Sequence, residues 1–84
     1  MDIFSKLLPL IKNGMRITLT KDDCVPGDNF LIFSAYKKQT ITIHCNRVPY
    51  WLDFDGDEPM RLEDCPSTFF ETLIANIEKG NYEI

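Results

Sequence analysis

Asp53, Asp55 and Asp57 alternate within YWLDFDGDEP, the stretch from Tyr50 to Pro59. Alternating carboxylates can hold a hard divalent cation, and Asp64 falls at the twelfth position from Asp53, where a calcium loop closes. Such a loop needs glycine at its sixth position for a sharp turn, but Glu58 stands there and Gly56 comes two residues early. A weak divalent-cation site at Asp53, Asp55 and Asp57 is therefore an alternative rather than the leading reading. The hairpin reading needs nothing unusual: apolar alternation runs into Asp55-Gly56, a pair suited to a type I′ turn. The same turn then gathers more acid than a turn requires.

Two other arrangements could do chemistry. WLDFDG resembles the D-x-D-G motif of haloacid-dehalogenase phosphatases, a resemblance that implies Asp53 as nucleophile and Asp55 as general acid. Asp57 stands where that motif continues with threonine, the motif lies late in the sequence, and 84 residues leave no room for the rest of that domain. His44 and Cys45 are neighbours, but consecutive strand residues point to opposite faces, so they cannot pair as base and nucleophile. Cys24, Cys45, Cys65 and His44 lack the local pairs that close a zinc site. No catalytic set, metal site or cofactor is expected.

Charge is more informative. Of 13 acidic residues, Asp53, Asp55, Asp57, Glu58, Glu63 and Asp64 crowd one short region, opposed there by Arg61. That surface repels nucleic-acid phosphates and membrane headgroups and attracts basic protein surfaces. Trp51 falls on the same strand face as Asp53, and Tyr50 precedes it; aromatics beside charge are the composition of a binding hot spot. Tyr50, Trp51, Asp53, Asp55, Asp57, Glu58, Glu63 and Asp64 form the candidate partner-binding set.

The elements that must position these residues follow from hydrophobic period. Asp2 to Asn13 is expected to be helical, capped by Asp2, closed by Gly14 and kinked or shortened by Pro9. MRITLTK is a strand with Ile17 and Leu19 inward, and KDDCVPGD is a loop. NFLIFSAY reads as a strongly apolar strand, and Lys37-Lys38-Gln39 as a polar turn. TITIHC places Ile41, Ile43 and Cys45 inward, with Thr40, Thr42 and His44 outward. VPYWLDF turns Val48, Tyr50, Leu52 and Phe54 to one face, and PMRLED returns with Met60 and Leu62 inward. Pro66 opens a final helix with Phe70, Leu73, Ile74 and Ile77 on its buried stripe, ended by Gly80.

The fold expected is a single α+β domain: an antiparallel sheet of four or five strands with an N-terminal and a C-terminal helix packed on one face. A chain of this length supports one modest core. The odd cysteine count implies reduced thiols and a cytoplasmic setting. The N-terminus lacks the basic region and cleavage site of a signal peptide, and no apolar run is long enough to span a bilayer.

MDIFSKLLPLIKNGMRITLT and PMRLEDCPSTFFETL resemble the helix-strand opening and the strand-into-helix block of the protein E family of PRTRC plasmid cassettes; residues from Lys21 to Glu58 depart from it. That resemblance implies a plasmid-cassette accessory role. In kind, without a shared motif, the chain is similar to small acidic phage anti-CRISPR and other anti-defence proteins, whose acidic surfaces occupy basic nucleic-acid channels. The expectation is a non-enzymatic protein-binding module, an inhibitor that meets a basic surface on a nucleic-acid-binding protein or complex. Self-association as a homodimer through NFLIFSAY is the competing expectation.

Overall fold

The computed structural model describes residues 2–28, 38–56 and 58–84. The expected strand NFLIFSAY, with any fifth strand it would supply, and Asp57 lie outside the described residues.

Helix α1 covers Ile3–Leu7, with the Asp2 carboxylate accepting from the Ser5 amide at 2.7 Å as its N-cap. The helix is shorter than the expected span to Asn13. Proline cannot continue the hydrogen-bond ladder, and the chain tightens into a 3₁₀ turn at Leu8–Leu10, where Pro9 stands near the start and needs no N–H. Gly14, with φ +85°, therefore serves a turn before the first strand rather than a helix end.

Four strands follow in the described residues: β1 at Arg16–Thr20, β2 at Lys38–His44, β3 at Trp51–Phe54 and β4 at Met60–Arg61. They form one antiparallel sheet in the order β1-β2-β3-β4. The register sets Ile17 opposite Ile41, Ile43 opposite Leu52 and Ile41 opposite Phe54, so the period-two apolar sets align into one buried face. Helix α2, Ser67–Glu78, and α1 cover that face. Phe54 meets Phe69 with ring centroids 6.4 Å apart, and Phe4 meets Phe70 edge-on at 5.3 Å.

Three expectations about the sheet change. Lys38 and Gln39 belong to β2 rather than to a polar turn. Gln39 is only 2% exposed, and its amide is satisfied by donating to the Asp55 carbonyl at 2.9 Å. Val48 is not inward: it is 86% exposed in the bend before β3, while Leu52 and Phe54 are buried as expected. The Asp55-Gly56 corner is not a type I′ pair, because Gly56 (φ +86°) has positive φ and Asp55 does not. β3 and β4 pair at Trp51–Arg61 and Leu52–Met60, so the connection is a wider loop.

The buried stripe of α2 carries more than the expected apolar residues. Phe69 is fully buried and Ile74 only half-buried, and Thr72 and Asn76 are fully buried polar groups. The Asn76 amide donates to the Asp23 and Thr72 carbonyls at 2.9 and 2.7 Å, and its oxygen accepts from Asn81 at 2.8 Å. The Thr72 hydroxyl donates to Asp28 at 2.7 Å and accepts from the Val25 amide at 3.1 Å. These bonds fasten the segment after β1 onto α2 without leaving a buried polar side chain unpaired among the described residues.

Candidate functional site

The face of the sheet turned away from the helices carries the polar half of each strand. Its register brings Arg16, Thr42 and Asp53 into one cross-strand row, and His44, Trp51 and Arg61 into the next. Thr18 and Thr40 meet across β1 and β2 with hydroxyl oxygens 3.2 Å apart. Trp51 is 40% exposed on this face, two residues from Asp53 on the same strand. Its indole is an accessible surface rather than part of the core.

An open cleft of about 730 Å³ lies between this face and the loop after β3. Arg16, Thr40, Thr42 and Asp53 line it from the strands, and Asp55, Gly56, Glu58 and Pro59 from the loop. The loop is held from below, by the Gln39 amide on the Asp55 carbonyl and by the Asp55 amide donating to the Thr40 carbonyl at 3.1 Å. Buried Gln39 therefore fixes the corner that presents the acids, although it carries no charge itself.

Electrostatics distinguishes the acids of this region. Arg16 pairs with Glu83 at 2.9 Å, and a reciprocal backbone bridge between the same two residues fixes it at the sheet edge. Arg61 pairs with Asp64 at 3.2 Å and Glu63 at 3.5 Å. Among the described residues, Asp53, Asp55 and Glu58 have no lysine or arginine in salt-bridge contact. Asp53 has the His44 imidazole 3.9 Å away, an ion pair only when the ring is protonated. The cleft thus gathers three carboxylates that no lysine or arginine among the described residues contacts, with Arg16, already paired to Glu83, on its strand side.

The expected partner-binding set is divided by the fold. Trp51, Asp53, Asp55 and Glu58 gather on the open face. Glu63 and Asp64 clamp Arg61 instead, and Tyr50 and Glu63 line a separate apolar groove of about 240 Å³ with Phe4, Leu8, Val48, Pro49 and Leu62. Asp57 lies outside the described residues, and with it the third ligand of the candidate cation site. Among the described residues no cluster of three or more His, Cys, Asp or Glu is arranged to hold a metal. Arg16, Thr40 and Thr42 are cleft residues that the charge pattern did not single out; strand alternation already placed the two threonines outward, and only the pairing register adds them to the acids.

The thiols are poorly disposed to nucleophilic chemistry. Burial, followed by the nearby Asp64 charge, pushes Cys65 up to about 12. Burial, then Asp28 and Asp23, pushes Cys24 up to about 11, and burial also raises Cys45. His44 points to the open face beside Asp53, whereas half-buried Cys45 packs against the core.

No protein-family model, curated protein or solved structure matches this chain. No helix among the described residues is long and apolar enough to cross a membrane.

Proposed function

We propose that this chain is a non-enzymatic acidic binding module that occupies a basic surface on a protein partner. The partner's surface is one that handles nucleic acid, and the chain acts as a mobile-element-borne inhibitor of the anti-CRISPR or wider anti-defence kind. One observation carries the reading: three carboxylates with no lysine or arginine partner among the described residues gather at one cleft, on the sheet face that also carries an exposed tryptophan. Charge of this sign at a cleft raises the association rate with basic surfaces and disfavours phosphate.

Affinity capture tests it. The chain, immobilised in a lysate of the host, should retain a nucleic-acid-binding protein that added DNA or RNA competes away. Reversal of Asp53, Asp55 and Glu58 to lysine should abolish that retention. Equal retention by the reversed variant would refute the reading.

A further inference from the structure

Among the described residues β1 is one margin of the sheet, and β4, at the other, is a short Met60–Arg61 pair. Alternation along an antiparallel strand turns the backbone groups of Arg16, Thr18 and Thr20 away from β2. Outward groups of this kind are a template for another strand unless the chain covers them. Here the chain covers them from two places. The Arg16 amide donates to the Glu83 carbonyl and the Glu83 amide to the Arg16 carbonyl, each at 2.7 Å. The Asn81 side-chain amide donates to the Thr18 carbonyl at 3.2 Å, and the Thr20 amide donates to the Asp23 carboxylate at 2.8 Å.

The two covers are held unequally. Asp23 is tied to α2 through Asn76 and Lys79, and Asn81 is tied to Asn76 by both its main chain and its side chain. Beyond Asn81, the chain is fastened to β1 by the bridge at Arg16 and by the solvent-exposed Arg16–Glu83 ion pair. Tyr82, Glu83 and Ile84 are all exposed, so little apolar burial adds to that hold.

We propose that residues 82–84 are a releasable strap, and that its release opens β1 to the β1 of a second copy of this chain. An antiparallel pair about a two-fold axis at Ile17 sets Arg16 of each protomer opposite Thr18 of the other. Both residues turn their backbone groups outward, so each such pair exchanges both of its hydrogen bonds. The Thr18 carbonyl has a second lone pair for this beside the Asn81 amide. Charge favours the same register, because each Arg16 meets a threonine and no like charges stand opposite one another. RITLT, rich in β-branched residues, is thus complementary to its own copy.

Sedimentation equilibrium of the parent and of a variant lacking residues 82–84 tests the proposal. Both copies must open to pair, so a strap closed about nine times in ten weakens association about a hundredfold. The variant should therefore self-associate at least about a hundredfold more tightly than the parent. Glu83→Pro, which removes the amide that donates to Arg16, should act in the same direction with every other residue kept. Adding Thr18→Lys to either variant sets a lysine opposite Arg16 and should return it to a monomer. Circular dichroism checks that each variant is folded, and Glu83→Pro carries the test if the shortened chain is not. Equal self-association by the parent and the folded strap variants overturns the strap. A dimer that survives Thr18→Lys overturns the pairing at β1.

Discussion

Asn76→Asp changes an amide into a carboxyl of the same size and so isolates the role of one buried donor group. In the native protein the Asn76 NH₂ donates to two carbonyls, of Asp23 and Thr72, inside a fully buried site. A protonated carboxyl can supply one of those bonds, leaving one carbonyl unpaired at a cost of about 1–3 kcal/mol. An ionised carboxyl would place an oxygen anion against two carbonyl oxygens, with the Asn81 amide as its remaining donor. The fold therefore holds the introduced group protonated, because burial and the two facing carbonyls raise its pKa above that of an ordinary carboxyl. The unfolded chain loses its proton first as pH rises, so stability falls between the two values by about 1.4 kcal/mol per pH unit. The deficit relative to the parent should be about 1–3 kcal/mol in acid and should widen as pH rises above the unfolded carboxyl's pKa. A chain of 84 residues is expected to have about 4–12 kcal/mol in all, so the variant approaches unfolding at neutral pH. Urea denaturation of both proteins, followed by circular dichroism at several pH values, measures the deficit. A small deficit that does not change with pH would refute the assignment of Asn76 as a buried double donor.

Gln39→Leu should lower the unfolding free energy by about 1–2 kcal/mol, since leucine suits the buried site while the amide's bonds to the Asp55 and Thr40 carbonyls are lost. Hydrogen exchange at Asp55 and Gly56 should also accelerate several-fold; unchanged exchange would mean that Gln39 does not hold the corner. Asp23 accepts from the Thr20 amide, which lowers its pKa despite partial burial, with Lys79 contributing further. Its folded value lies below its unfolded one, so this stabilisation is present above the unfolded pKa and disappears as pH falls through the folded value. Asp23→Asn should thus be less stable than the parent at neutral pH, with the gap closing in acid; a gap constant with pH would contradict this. Cys65, buried with its thiol pushed up to about 12, should resist alkylation near pH 8 until denaturant is added, whereas rapid labelling of the folded protein would show that it is accessible.

Period-two alternation in RITLT and TITIH was enough to place Ile17, Leu19, Ile41 and Ile43 in the core, because a strand with one buried face has little freedom of register. The Asp2 cap and the final helix ending before Gly80 were legible for the same local reason. Gln39, Thr72 and Asn76 were not, because each is buried through bonds to residues distant in sequence, and side-chain polarity alone marks such positions as exposed. Val48 shows the opposite error. Alternation counted back through Pro49 assigned it inward, while the chain there is a bend that the strand begins after. The density of acid was visible in the sequence, but its division was not. Pairing with Arg61 withdraws Glu63 and Asp64, and cross-strand register sets Asp53 beside Thr42 and His44.

The most direct test of the acidic open face is a nitrogen-15 NMR titration of the chain with its captured partner. Shifts should concentrate at Thr42, the Trp51 indole, Asp53, Asp55 and Gly56, with α2 unmoved. Shifts confined to the groove of Phe4, Leu8, Val48 and Tyr50, or to α2, would contradict it.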